Sequence, residues 1–396
     1  MQNLLIFATM LGVAILLIAP RLAQAPLWRA TITPLASIIG SGFLVLGPVL
    51  STSFGAWAPL AMLLLCIGAY AFGDAIRFNI AARAEATPRS ATETRLETLA
   101  SWALAFAYVI SVAYYLNLFG AFAVSLTEVA DAAHAHAVTS AVLIVILMTG
   151  WTRGFTALER LEQISVGLKL VIIAGLLAGL AWFMAGRAAA GALVIDAPRL
   201  TGWPAVALLF GLIVTVQGFE TARYLGAEYN SATRIRAMWL AQTLSTAIYL
   251  AYVCLSAYVF PTSTVKLTET AILDMMGLVA PILPGLLVIA ALSAQFSAAI
   301  ADTGGAGGLV AELTRGRITP RKAYAALVAA GLALTWFSDV FSIIAYASRA
   351  FALYYALQSA IAAVGARNRG LPLRAAAYTT LGLLGLAITA FGTSVE

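Results

Sequence analysis

The chain has 396 residues, 62% of them hydrophobic and only 10% charged, with a mean hydropathy of +0.94. No soluble domain hides that much apolar surface, which excludes a soluble globular protein. The net charge of +6 comes from basic residues in short loops, where they set membrane orientation and give no reason to expect nucleic acid as a partner.

Apolar runs of about 20 residues recur along the chain, each enough to cross ~30 Å of hydrocarbon. They do not alternate, so a barrel is excluded and an all-α polytopic membrane protein is expected. Twelve spans are predicted, at 4–19, 31–52, 57–79, 97–126, 138–152, 164–185, 203–228, 236–260, 278–310, 322–338, 341–364 and 375–392. Residues 4–19, followed by Ala23-Gln24-Ala25, have the look of a signal peptide with a cleavage site. No Lys or Arg precedes that run, however, and Arg21 and Arg29 follow it, so a retained extra helix is expected. Basic loops recur at Arg77–Arg95, Arg153–Arg160, Arg234–Arg236, Arg315–Lys322 and Arg367–Arg374. The intervening loops hold acids or few charges, as at Glu128 and Asp131 or Glu269 and Asp274, with Arg187 and Arg199 as mild exceptions. The positive-inside rule then puts the Arg21–Arg29 loop in the cytoplasm and both termini outside the cell's inner (plasma) membrane.

Two spans are interrupted. In the second, "SIIGSGFLVLGP" (37–48) sets Gly40-Ser41-Gly42 amid apolar residues. In the seventh, "IVTVQGFETARYLG" (213–226) places Thr215, Gln217, Gly218 and Glu220 at mid-span. Irregular backbone in a bilayer is tolerated only inside protein or beside a cavity, and a buried Glu faces the bundle interior. A lone glycine step is as readily a packing surface between helices. Two breaks separated by four spans point instead to an inverted repeat with a midplane binding site. The expected organisation is an extra helix and loop at 1–29, five-helix repeats at 30–186 and 200–366, and a terminal helix at 367–396.

At these residues the sequence resembles the amino acid–polyamine–organocation permeases. "SIIGSGFLVLG" is similar to that family's glycine-rich first core helix, and "QGFETARYLGAEY" (217–229) to its sixth. The resemblance implies a five-plus-five inverted-repeat core of the LeuT type. It also implies uptake of an amino acid or related amine driven by protons, with sodium as the alternative coupling ion. No cofactor and no metal are expected. "YNSATRIR" after Glu228, the small-residue stretch "GGAGG" at 304–308 and the extra first helix depart from the family pattern.

On this reading Gly40, Ser41 and Gly42 offer donors to a substrate carboxylate, and Val216, Gln217 and Gly218 offer carbonyls and an amide to its amino group. Glu220 either binds that amine or forms a structural pair with Arg223 at i+3. Lys169 is either a snorkelling side chain or, as the resemblance implies for some proton-coupled members, the group standing where sodium-coupled relatives hold the cation. Asp302 is expected near it, as a proton-titratable partner, a cation ligand or a salt bridge. Tyr114 and Asn117, with Tyr115 between them, are pocket candidates or packing residues. Asp74 and Arg77 read as a structural pair, and Arg349 has no evident partner in the sequence. His134 and His136 are too few for a metal site, and Cys66 and Cys254 read as buried small hydrophobes. No catalytic motif is present, which leaves an ion carrier or a non-transporting partner subunit as the alternatives to a transporter. The few polar residues at the breaks favour a small or apolar amino acid over a strongly charged one.

Overall fold

A computed structural model describes residues 1–40, 42–85, 89–152, 159–263 and 265–395, with the backbone alone for 159–164 and 227. Among the described residues the chain is helical throughout and contains no strand. In chain order the helices are α1 (Gln2–Ile18), α2 (Pro20–Ala23), α3 (Pro26–Ile38), α4 (Gly42–Phe54), α5 (Ala58–Ala84), α6 (Ala91–Val124), α7 (Ala132–Thr152) and α8 (Glu159–Ala189). They continue as α9 (Gly202–Gly211), the 3₁₀ segments Ile213–Val216 and Phe219–Ala227, α10 (Ser231–Ala257) and α11 (Ala271–Val279). The last are α12 (Leu283–Leu313), α13 (Pro320–Phe337), α14 (Val340–Asn368) and α15 (Pro372–Phe391).

Each of the twelve expected spans coincides with helical structure, and among the described residues eight helical stretches are by themselves long and apolar enough to cross a membrane. The chain is therefore a multi-pass membrane protein. Helix starts are set by local chemistry. Proline occupies the first turn of α3, α5, α12, α13 and α15, where its missing N–H costs nothing. Ser90 and Glu93 form a reciprocal capping box at α6, Asn230 caps α10 and Asp339 caps α14. These polar first turns start α6 and α7 at 91 and 132, six residues before the apolar runs.

The ninth span differs from expectation. Residues 278–310 do not form one helix, because Pro281 cannot donate to α11 and Pro284 sits in the first turn of α12. The cysteines also divide: Cys66 is buried, while Cys254 is exposed on the apolar periphery.

Helices α12 and α14 both pack on α6 at the centre of the bundle, and α10 packs against α3 and α5. The periphery is made by α1, α7, α13 and α15, which present residues such as Leu11, Ile15, Met148 and Leu383 outward. The extra helix α1 lies on α8, where Gly175 and Gly179 leave room for Met10 and Ile6. Gly305 and Gly307 of the "GGAGG" stretch do the same for Tyr108 and Tyr324.

Candidate functional site

Both expected breaks are present, and they touch. In the first span α3 ends at Ile38, Ile39 leaves helical geometry (φ −81°, ψ 47°), and α4 begins at Gly42. In the second, α9 ends at Gly211, Gln217 is extended and Gly218 adopts φ +115°. A Cβ on Gly42 would stand 2.6 Å from Thr215 Cα, and one on Gly218 would stand 2.6 Å from the carbonyl carbon of Ser37. Each glycine thus admits the backbone of the other break. Gly218 also supplies a left-handed conformation that side chains disfavour.

The carbonyls freed by unwinding are answered by protein donors. Lys169 reaches from α8 and donates to Ala36 O at 2.9 Å and Ile39 O at 3.2 Å. Its side chain is buried at the negative end of α3, where a cation is favoured. The hydroxyl of Tyr249, on α10, lies 2.9 Å from Ile38 O and 2.8 Å from Thr215 O, so one proton is shared between the two breaks. Ser348, on α14, donates to Gly211 O at 2.6 Å and accepts from Val214 N at 3.1 Å.

The structure sorts the expected site residues. Gly40, Gly42, Val216, Gln217, Gly218 and Glu220 gather at the junction of the breaks, and Ser41 lies outside the described residues. Gln217 donates to Tyr115 Oη at 3.1 Å, while Tyr114 is buried against the Tyr115 ring at 5.3 Å. The residue of that pair that bonds the second break is therefore Tyr115. Asn117 turns away, donating to Ala113 O at 2.8 Å and to Thr335 Oγ1 of α13 at 2.9 Å. It holds two helices together and does not face the breaks.

One expected pairing is corrected. Glu220 does not pair with Arg223. The left-handed turn at Gly218 folds the carboxylate back, so that it accepts from Gly218 N at 3.0 Å and from Tyr355 Oη at 2.9 Å. Arg223 instead forms a salt bridge with Glu97 of α6, which Arg89 also approaches at 3.3 Å. Lys169 and Asp302 each have a partner of their own, since the Asp302 carboxylate accepts from Ser111 Oγ on α6. Glu97→Gln leaves the buried Arg223 guanidinium without its counter-ion. Full burial of both charges would make that cost roughly 3–5 kcal/mol, and the partial exposure of Glu97 lowers it to about 2 kcal/mol. A Tm for Glu97→Gln equal to the parent's would contradict this pairing.

Asp74 and Arg77 approach to 3.6 Å, and Arg349 donates to Gly392 O at 2.9 Å. His134 donates through its backbone N–H to Asp131 and also contacts it through the ring, contacts that hold this exposed carboxylate below its usual range. His136 lies edge-on to Trp336.

A cavity of about 570 Å³ leads inward from the side that the loop charges assign to the cytoplasm. Arg29, Glu228 and Glu312 stand at its mouth, and Tyr108, Ser297 and Asp302 line its inner part. Tyr249, Ser348 and Tyr355 escaped the sequence reading. A tyrosine or serine in an apolar helix gives no sign of which carbonyl it will meet.

Residues 20–392 match the family model described as "APC superfamily transporter". The chain is also similar to an uncharacterized protein of Aquifex aeolicus (strain VF5). The two are 37% identical over 403 residues, covering 100% of this chain and 98% of the relative. An all-helical membrane bundle with two interrupted spans, matched over nearly its whole length, gives one conclusion: the chain belongs to the APC superfamily of transporters.

Proposed function

We propose that the chain is a proton-coupled transporter that takes up a small neutral amino acid or related amine across the inner (plasma) membrane by alternating access. The observation that carries this reading is Lys169, whose ammonium sits 2.9 and 3.2 Å from the carbonyls at the end of α3. Carbonyls exposed by a broken helix are a natural cation site. Here a titratable group on a neighbouring helix fills it. Protonated Lys169 holds α3 to α8 with charge-assisted bonds. Loss of the proton removes the charge and weakens that hold, so the α3–α8 contact becomes dependent on proton supply. Tyr249 serves the carbonyls at Ile38 and Thr215 in the same way. Both donors favour protons over sodium as the coupling ion.

The substrate's carboxylate is placed at the start of α4, where the Gly40–Gly42 step and the half-helix N-terminus offer backbone donors. Its amino group is placed against the Val216–Gly218 backbone. Glu220 acts there as a hydrogen-bond acceptor, already oriented by Gly218 N and Tyr355. The five-plus-five inverted repeat is the organisation that accounts for the two reciprocal breaks. The cavity at Asp302 is the route between this site and the cytoplasm.

The test is uptake into proteoliposomes across a panel of amino acids, amines and potassium. Accumulation of a small neutral amino acid is expected under an inward proton gradient. It should be lost with a protonophore and unchanged when choline replaces sodium. Accumulation that requires sodium, or flux of potassium alone, would overturn the proposal.

A further inference from the structure

We infer that Gln295 and Gln217 form a subsite for the side chain of the transported amino acid, selecting neutral side chains that both donate and accept hydrogen bonds, namely hydroxyl or carboxamide. The inference rests on the amino acid reading above and narrows it.

The starting point is a pair of buried amides with unused bonding capacity. Gln295 is 0% exposed, and neither its Oε1 nor its Nε2 has a hydrogen-bond partner. Gln217 is 3% exposed, and its Oε1 is likewise unpartnered although its Nε2 reaches Tyr115. A buried polar atom without a partner is destabilising, because it gave up its bonds to water and gained none in return. A leucine or methionine of similar size would avoid that cost in a helix whose other core-facing residues are mostly apolar.

Helix register brings the two amides to within about one turn of each other along α6. Helices α6 and α12 run side by side in opposite directions. Their matched contacts are Tyr108 with Gly305, Ser111 with Asp302 and Phe119 with Phe296. Gln295 therefore stands opposite residues 118–120 of α6, about one turn along from Tyr115, the partner of Gln217. Gln295 also shares a helix face with Asp302, seven residues outward, or about 10 Å at 1.5 Å per residue. The cytoplasmic cavity reaches Asp302, so the subsite lies just beyond the cavity's inner end.

The chemistry of the pair sets the ligand class. Two carboxamides offer acceptors and donors together and carry no charge. The nearby acids are already engaged, Asp302 by Ser111 and Glu220 by Gly218 N and Tyr355. An aliphatic side chain would leave the amides unpaired, and a site built to hydrogen-bond a substrate discriminates strongly against the analogue that cannot.

The test compares threonine with valine, which match in shape and differ in one hydroxyl, as competitors for uptake into proteoliposomes. Wild-type protein should prefer threonine at least tenfold. Gln295→Leu and Gln295→Met should each bring the ratio near one. Both variants should also raise the Tm of the substrate-free protein, because they remove unpaired buried polar atoms. A threonine-to-valine ratio that stays the same in the variants overturns the inference, as does a wild-type preference for valine. A lowered Tm in both variants overturns it too, since it would mean that the protein itself satisfies Gln295. Wild-type protein that takes up no amino acid at all would overturn the transport reading and this inference with it.

Discussion

Lys169→Ala is expected to abolish the stimulation of uptake by an inward proton gradient. The substitution removes both donors to Ala36 O and Ile39 O and leaves those carbonyls without the ammonium. A hydrogen bond to a charged group is worth about 1.5–3 kcal/mol. Losing even the smaller amount in only one conformational state shifts the balance between states by roughly tenfold, and losing both bonds shifts it by a hundredfold or more. Lys169→Arg provides the contrast. A guanidinium keeps the charge but does not give up its proton at ordinary pH, so substrate binding should persist while proton coupling fails. Uptake in proteoliposomes at fixed external pH, with internal pH stepped from equal to alkaline, measures both. Undiminished proton dependence in the alanine variant would remove Lys169 from the mechanism.

Gly218→Ala is expected to be strongly destabilising, by several kcal/mol in all. The new Cβ would sit 2.6 Å from the Ser37 carbonyl carbon, in a segment hemmed in by backbone. Overpacking of this kind costs about 1–3 kcal/mol, and holding alanine at φ +115° adds about as much again. Gly42→Ala meets Thr215 at the same distance and carries the first of these costs. Gly186→Ala is the control. It lies in α8 with nothing within 4 Å of the new methyl, and helix propensity should make it neutral to slightly stabilising. Thermal unfolding in detergent ranks the three. A Gly218→Ala protein as stable as the control would mean that the two breaks do not pass backbone to backbone.

These two sites also show how far the sequence could be read. The breaks were legible because glycine steps and an intramembrane glutamate are anomalous in apolar helices, and because four spans separate them. Lys169 was legible as an oddity for the same reason. Its partners were not, since nothing in residues 164–185 indicates which helix end it will face. The i+3 spacing of Glu220 and Arg223 suggested a pair that a regular helix would make. The left-handed turn at Gly218 turned Glu220 back on its own backbone, and Arg223 took Glu97 from 126 residues away. Asn117 and Tyr115 are two residues apart on α6 and face opposite neighbours. Deciding which one points at Gln217 requires the position of α13, which no local pattern supplies.

The single hydroxyl of Tyr249 has a mechanical consequence. Because its one proton serves carbonyls of both interrupted spans, neither segment can slide past the other by much more than the tolerance of a hydrogen bond without forfeiting it. The interlocked glycines remove the remaining freedom in the perpendicular direction. At their midpoints the two spans therefore count as one rigid body with a single set of translations and rotations. Relative motion between them is confined to their outer arms, which pivot about a shared axle at the crossing of the breaks.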